Sequence, residues 1–200
     1  MAYFTVKRDI APVSLGLERH ERKHPRFEFS RAFFETQVRM LGWATNVTLA
    51  PHTYTLIVKV FELTTGNEIF SRTETRFLAA NVSTELFDTA LPKSKSDDAL
   101  IISSCLKNAP NGVVVARCMN LAQPYRYLEM PRPRLDIRVN GDRIFAVADV
   151  PVKGLAFYAE DVDGVVFEDN LIDLVPGDEQ AIVAGGLDGR AVSWKHYGVV

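Results

Sequence analysis

The chain has 200 residues, of which 47% are hydrophobic and 24% are charged. This is the composition of an ordinary globular protein, and the length allows one large domain or two small ones, each with its own core. The net charge of −2 provides no basic face, so we expect neither nucleic acid nor a membrane among the partners.

The chain ends and the cysteines narrow the class of protein only a little further. No segment approaches the apolar length of a membrane helix, and "MAYFTVKRDI" lacks the apolar core of a signal peptide, which favours a cytoplasmic location. The two cysteines, Cys105 and Cys118, are too few for a disulfide scaffold. They lie in neighbouring candidate strands and could pair, but we expect buried free thiols.

The first forty residues contain the two segments for which a helix is considered. Ala2–Ile10 is compatible with a short helix that ends before Ala11-Pro12, because a residue that precedes proline avoids the helical region. The alternation from Val13 to Leu17 then predicts a strand. In "FSRAFFETQVRML" a helix capped at Ser30 and an extended strand fit equally well.

The middle of the chain alternates with period two and contains clear turn signals. "TYTLIVKVFEL" predicts a strand that buries Tyr54, Leu56, Val58 and Val60. "TTGNE" supplies hairpin chemistry between that strand and "IFSRTETRFLA". "ALIISSCLK" and "GVVVARCMNL" predict two more strands joined by a turn at "NAPNG", and "PKSKSDD" before them is a polar loop.

The composition changes at "MPRPR", where two prolines favour a short stiff linker. A hairpin across Asn140-Gly141 follows, then "GLAFYAE". Val175-Pro176-Gly177-Asp178 fits a type II turn, because proline presets φ at its second position and glycine accepts the positive φ of its third. "GGLDGR" predicts one more turn before the last strand, "AVSWKHYGV".

Short strands with a turn about every ten residues indicate an all-β protein made of two immunoglobulin-like β-sandwich domains in tandem. We predict a helical linker at residues 1–12, a first sandwich at 13–130 and a second at 131–200.

The segment "HERKH", His20 to His24, matches H-E-x-x-H, in which two histidines on one helix face bind zinc. The strand pattern before it and Pro25 after it oppose a helix, so we expect a polar strand end or loop. Asn67-Glu68 resembles the pair that carries the general acid in many retaining glycosidases. It sits in the predicted hairpin turn, and no second carboxylate can be nominated opposite it, so a turn role with Glu68 facing solvent is expected.

Two Asn-x-Ser/Thr sequons, at Asn46 and Asn81, have meaning for glycosylation only in a secreted chain, and for Asn46 we favour a strand-end side chain bonded to the backbone. Exposed aromatic side chains could stack on sugar rings, and the candidates are Trp43, Trp194, Tyr125, Tyr127 and Tyr197. For the two tryptophans we favour a place in the core or at a domain interface, because each buries a large apolar area. No catalytic, cofactor-binding or metal-binding residue is nominated, and no cofactor is expected.

Several segments together resemble a known family. "YFTVKRDIAPVSLGL" resembles the exit from the catalytic barrel of family 2 glycoside hydrolases, and "HPRFEFSRAFFETQVRMLGWATNVTL" resembles the start of the next domain in fungal β-mannosidases of the B type. "DVPVKGLAFYAED" and "FEDNLIDLVPGDE" resemble the C-terminal Ig-like domain of that family. The resemblance covers the whole chain in the order of the family.

The resemblance implies accessory β domains of a retaining enzyme that removes terminal β-mannose, with both catalytic glutamates upstream of Met1. The chain alone is then expected to be inactive, and its partners are its own catalytic barrel or a second copy. Tyr3, Phe4 and Ile10 would cover barrel surface, so we expect this segment to be displaced, poorly ordered or packed on another chain. Two alternatives stay open: an autonomous carbohydrate-binding module and an Ig-like protein-interaction module.

Overall fold

A computed structural model describes residues 2–25, 34–91, 99–122, 125–159 and 164–198. Within these ranges the all-β fold with one short N-terminal helix is confirmed. The first half contains helix α1 (Ala2–Asp9) and strands β1 (Val13–Pro25), β2 (Phe34–Asn46), β3 (His52–Glu62), β4 (Glu68–Leu78), β5 (Val82–Ala90), β6 (Leu100–Asn108) and β7 (Val114–Asn120). The second half contains a 3-10 helix (Tyr125–Tyr127) and strands β8 (Leu135–Asn140), β9 (Arg143–Ala148), β10 (Val152–Tyr158), β11 (Val166–Phe167), β12 (Ile172–Leu174), β13 (Gln180–Gly185) and β14 (Ser193–Lys195).

The first seven strands form two antiparallel sheets that face each other. Their strand orders are β1-β2-β5 and β4-β3-β6-β7. The core between them takes Met40 and Ala44 from one sheet and Leu56, Val60 and Leu106 from the other, all fully buried. The alternation predicted for β3 is confirmed, since every second side chain from Tyr54 to Val60 is buried.

The last seven strands repeat this arrangement with shorter elements. Their sheets have the orders β12-β10-β14 and β11-β13-β9-β8, again antiparallel. Ile144, Leu155, Phe157 and Ile182 fill the core between the two sheets. In the described ranges no ladder joins a strand before Asn120 to a strand after Leu135.

The two pairs of sheets meet at a third apolar cluster. Phe61, Ile101 and Leu121 from the first pair pack with Val175, which belongs to the turn after β12. Beside them, the guanidinium of Arg117 on β7 donates two hydrogen bonds to the Asp178 carboxylate, at 2.8 and 3.2 Å. An apolar contact and a bidentate ion pair therefore fix the second sandwich to the edge of the first.

The turns follow the sequence closely. Gly177 has φ +76°, and the Asp178 N–H donates to the Val175 carbonyl at 3.2 Å, as the predicted type II turn requires. Gly141 also takes a positive φ between β8 and β9. Gly66, in the β3–β4 hairpin, has φ +69°, and a Cβ there would lie 2.4 Å from the Asp149 carbonyl oxygen.

Some expectations need correction or fall outside the description. Residues 29–41, for which a helix and a strand fitted the sequence equally well, form a strand from Phe34 onward. The first residues of this segment, 29–33, lie outside the described ranges. The polar loop expected at 92–98 also lies outside them. Strand β5 was not predicted at all. In the described parts of the chain, no helix has the length and apolar character needed to cross a bilayer.

Candidate functional site

Helix α1 is attached to the far end of the chain by its two basic residues. The Lys7 ammonium donates to the Glu168 carbonyl at 2.5 Å. The Arg8 guanidinium donates to the Asp169 carboxylate at 2.5 Å and to the carbonyls of Asn170 and Leu171 at 2.9 and 3.1 Å. A helix C-terminus favours cationic side chains, and here the same cations bridge to a loop about 160 residues away.

The receiving loop is held in shape by its own polar side chains. Asn170 is buried; its amide donates to the Phe157 carbonyl at 3.0 Å, and its oxygen accepts from the Phe157 N–H at 2.8 Å. Asp169 accepts from the Asn170 N–H at 2.8 Å while it pairs with Arg8. Leu171 takes φ +55°. The loop therefore offers a carboxylate and three carbonyls to α1.

The side of α1 that points away from Arg8 is uncovered. Tyr3, Val6 and Ile10 are 67%, 52% and 74% exposed, and positions separated by three and four residues share one face of a helix. No residue of α1 is buried. Phe4 is half-buried and meets the Tyr3 ring edge-on at 5.2 Å. We call Tyr3, Val6 and Ile10 the apolar face of α1.

The structure agrees with one part of the expectation for the N-terminal segment and contradicts another part. An uncovered apolar side is found for Tyr3 and Ile10, whereas Phe4 is partly covered within the chain. The expectation that the segment is displaced is wrong, because Lys7 and Arg8 bond it to residues 168–171. Because the helix is attached through polar groups, its apolar face remains available to pack against another element.

A cleft of about 560 Å³ opens beside this attachment. It lies where α1, the edge strand β7 and the edge strand β12 come together, and its walls include Arg8, Arg117, Lys153, Asp173 and Asp178. The charges are already paired: Arg117 with Asp178, and Lys153 with Asp173 at 2.6 Å. The cleft is thus a polar seam between elements.

The H-E-x-x-H segment lies within strand β1, as the strand pattern predicted. His20 faces Arg39 and His24 faces Glu35 across the ladder. Four residues of strand separate the two histidine Cα atoms by about 13 Å, compared with about 6 Å on a helix. The His20 imidazole lies 3.3 Å from the Glu18 carboxylate. The backbone spacing is therefore not the one-turn helical spacing on which the H-E-x-x-H zinc motif depends.

Asn67 and Glu68 do not form a catalytic pair either. The Asn67 carbonyl accepts from the Glu62 N–H at 3.0 Å and closes the β3–β4 hairpin, and Glu68, at the start of β4, accepts from the Lys59 ammonium at 2.6 Å. In the described residues, no group of three or more His, Cys, Asp or Glu side chains is placed to hold a metal ion.

The two sequons have opposite environments. Asn46 is fully buried at the end of β2, where its amide donates to the carbonyls of Ala50 and Ala79 at 2.9 and 3.0 Å. Its oxygen accepts from the N–H and the hydroxyl of Thr48. The strand-end role favoured for Asn46 is confirmed. Asn81 is exposed and has φ +53° in the turn before β5.

The cysteines are free thiols and only partly buried. Cys118 faces Ser104 and Cys105 faces Arg117, so neighbouring positions of the ladder send the two thiols to opposite sides of the sheet. Burial raises the pKa of both thiols, and raises that of Cys118 to about 11. The alternative that the two thiols form a disulfide is wrong, because this one-residue offset places them on opposite faces of the sheet.

The expectation of a place in the core is wrong for both tryptophans, and the alternative of a domain interface stays a prediction. Trp43 is 38% exposed on the outer face of sheet β1-β2-β5, and Trp194 is 42% exposed on the edge strand β14, stacked against His196. Tyr125 is half-buried and meets the exposed Tyr197 ring edge-on at 5.8 Å. Tyr127 is exposed. Residue type alone did not reveal that Trp43 lies on an outward face, or that Trp194 lies on an edge strand opposite the core residue Phe157.

Solved structures share this arrangement of strands. A β-D-mannosidase of Dictyoglomus thermophilum superposes with a TM-score of 0.72 at 14% identity, over 98% of this chain and 23% of that one. An exo-chitosanase of Amycolatopsis orientalis superposes with a TM-score of 0.62 at 13% identity, over 99% of this chain and 27% of that one. Identities this low establish the fold alone.

Sequence comparison adds the family. Residues 40–127 match the Mannosidase Ig/CBM-like domain family. β-Mannosidase B of Thermothelomyces thermophilus is 34% identical over 100% of this chain and 24% of its own length, and the Aspergillus niger enzyme is 27% identical over 93% and 22%. The chain thus spans about a quarter of these relatives. The chain is thus similar to the Mannosidase Ig/CBM-like domain over residues 40–127 and, from end to end, to a segment of a β-mannosidase B.

Proposed function

We propose that this chain is an accessory, non-catalytic segment of a β-mannosidase-like glycoside hydrolase, and that it supports the catalytic domain. The observation that carries the proposal is that α1 is held through Arg8 on one side while Tyr3, Val6 and Ile10 stay uncovered on the other. Apolar side chains that recur along one helix face mark a surface that packs against another element. The catalytic domain of the longer polypeptide is the occupant we propose.

The scaffold role is supported by how the second sandwich is fixed. Val175 packs into an apolar cluster of the first sandwich, and Arg117 pairs with Asp178 at the same joint. A support that holds a neighbouring domain in place needs internal joints that resist bending, and both contacts serve that purpose. The division into residues 1–12, 13–130 and 131–200 is likewise part of this proposal.

The chain alone is expected to release no chromophore from a chromogenic β-mannoside, because the catalytic glutamates of such an enzyme would lie outside it. Turnover by the purified 200-residue chain, retained after removal of trace contaminants by a second purification, would contradict the proposal. Sequencing the reading frame upstream of Met1 gives an independent check. We expect a barrel domain there.

The apolar face is tested in a polypeptide that contains both this chain and its catalytic domain. Val6→Asp should lower the melting temperature of the catalytic domain and its activity, since a carboxylate at a packed apolar contact loses its water without a partner. Thr5→Asp, on a different side of the same helix, serves as the matched control and should change neither. Equal behaviour of the two variants would count against docking through this face.

A second copy of the chain is the rival occupant. Size-exclusion chromatography of the chain over a range of concentrations distinguishes the two, because self-association depends on concentration. We expect a single species of one-chain size. A dimer that Val6→Asp dissociates would assign the apolar face to self-association instead.

A further inference from the structure

The outer face of sheet β1-β2-β5 carries an aromatic platform. Trp43 stands opposite Gly16 on β1, and a Cβ on Gly16 would lie 2.3 Å from the indole atoms Cε2 and Cζ2. The indole therefore lies against the glycine backbone, in space that any other residue would fill. The Trp43 residue as a whole remains 38% exposed.

The platform continues into a groove along the same strands. Trp43, Leu41 and Arg39 occupy alternate positions of β2 and so project from one face of the sheet. A shallow depression of about 380 Å³ lies over Leu41 and Ala90, between His20, Gln37, Arg39 and Asp88. From Trp43 to Arg39 the surface extends for roughly 13 Å, the length of a short oligosaccharide.

The polar side chains along the groove suit hydroxyl groups. Arg39 donates to Asp88 through two nitrogens, with the second bond at 2.8 Å, and this pair lowers the pKa of the Asp88 carboxyl. Each member of a bidentate pair keeps further donor or acceptor positions, which a sugar hydroxyl can use in both directions. Arg39 is already neutralised by Asp88, and the other arginine of the groove, Arg22, lies opposite Gln37 at the end away from Trp43. The part of the groove next to Trp43 therefore favours an uncharged ligand over an anion.

We propose that this outer face binds a neutral oligosaccharide, with one sugar ring stacked on Trp43 and the next rings in the groove toward Arg39 and Asp88. The C–H face of a pyranose buries its apolar area on the indole, and its hydroxyls exchange hydrogen bonds with the groove. The proposal does not depend on the docking role of α1, which uses other residues.

The chain contains only two tryptophans, which makes the test direct. In Trp194→Phe, Trp43 is the single tryptophan, so its fluorescence reports on this face alone. Titration with β-1,4-linked mannotriose and with cellotriose should give a saturable change for at least one of them. The same sugar should protect Trp43 from quenching by acrylamide, a readout that needs no change at the site.

Calorimetry on the variants then locates the binding. Trp43→Ala should weaken binding by about tenfold to a hundredfold, because the stacking area of a large side chain is lost. Trp194→Phe, a change at the other exposed tryptophan, should leave the affinity unchanged. Gly16→Ala keeps the indole but forces it off the strand, and should also weaken binding while circular dichroism confirms the fold.

Four results would overturn the proposal. Neither trisaccharide binds at millimolar concentration; or the sugar binds without protecting Trp43; or Trp43→Ala and Gly16→Ala bind as the unaltered chain does; or trigalacturonate, an anionic trisaccharide, binds more tightly than the neutral ones.

Discussion

At the scale of single residues, the polar side chain of Asn46 stabilises two turns of the first sandwich. It is fully buried and makes four hydrogen bonds, to the carbonyls of Ala50 and Ala79 and from the N–H and the hydroxyl of Thr48, which join the β2–β3 turn to the β4–β5 turn. A buried amide without these partners would keep its polar atoms away from water with no hydrogen bond, which costs far more than an exposed hydrogen bond is worth. The asparagine is therefore a structural residue of the domain.

Asn46→Ala should lower the free energy of unfolding by on the order of 2–3 kcal/mol, since it removes four hydrogen bonds and the packing of a fully buried side chain. Urea denaturation followed by tryptophan fluorescence measures this loss. Asn81→Gly is the matched control, because glycine accepts the φ of +53° found there and the site is exposed. A loss below the error of the measurement for Asn46→Ala would show that water replaces the side chain.

Cys118 gives a prediction for alkaline pH. Its pKa in the folded chain is about 11, against 9.0 for an unperturbed thiol, mainly because burial disfavours the thiolate. The neutral thiol thus contributes stability that is fully present below pH 9 and is lost as the pH rises through about 11.

In Cys105→Ser, which leaves Cys118 as the single thiol, the rate of alkylation by iodoacetamide should rise with a midpoint near pH 11 in the folded chain. The same variant in urea should show a midpoint near the ordinary value. A folded-state midpoint below that of the unfolded chain would contradict the burial described for Cys118.

The sequence predicted some residue roles better than others. The strand-end role of Asn46 follows from its place between a strand and a turn, which is local information. The exposure of Trp43 depends on which strand lies beside β2 and on a glycine 27 positions earlier in the sequence. Burial of a side chain that could pack on either face of a sheet is decided by tertiary contacts, and no local pattern carries them.

At the level of single elements, α1 depends on its attachment. A helix of eight residues is unstable in isolation, because few of its hydrogen bonds offset the cost of nucleation. No residue of α1 is buried, so the bonds of Lys7 and Arg8 to residues 168–171 are what hold it.

Arg8→Ala should therefore loosen α1 without unfolding the sheets. Hydrogen exchange of the α1 amides should become about tenfold faster, after allowance for the screening of a partly exposed ion pair. The melting temperature of the chain should hardly change. Lys59→Ala removes an ion pair of similar exposure elsewhere, the one with Glu68, and should leave exchange in α1 unaltered. Unchanged exchange in Arg8→Ala would mean that other contacts hold the helix.

Strand β5 was not predicted from the sequence because a bulge interrupts its alternation. Its ladder with β2 shifts register between Gly42 and Trp43, so that Gly42 faces Phe87 and Trp43 faces Glu85. The extra residue is Leu86, and consecutive Leu86 and Phe87 are both buried. A bulge of this kind breaks the period of two on which strand prediction rests.

At the level of the whole molecule, the joint at Val175 makes the two sandwiches one mechanical unit. Val175 is buried among side chains of the other sandwich, and the predicted turn at Pro176-Gly177 sets its position. The turn could be predicted from four residues. Its partner could not, because the cluster that receives Val175 combines residues from three distant strands and the segment after them.

Val175→Asp should uncouple the sandwiches. A buried carboxylate without a partner costs roughly 3–5 kcal/mol, and the cost falls on the joint. Scanning calorimetry should show one transition for the unaltered chain and two for the variant. Val166→Asp makes the same change at an exposed site of the second sandwich and should keep the single transition. Two transitions in the unaltered chain would show that the joint is weak from the outset.

The bond between Arg8 and Asp169 joins positions 161 apart in the chain. A ribosome releases the amino end first, so α1 emerges long before the loop that receives it has been made. The first sandwich can close while α1 still lacks its anchor. The attachment of α1 is therefore among the last steps of assembly, and its completion reports that the final sheets have formed.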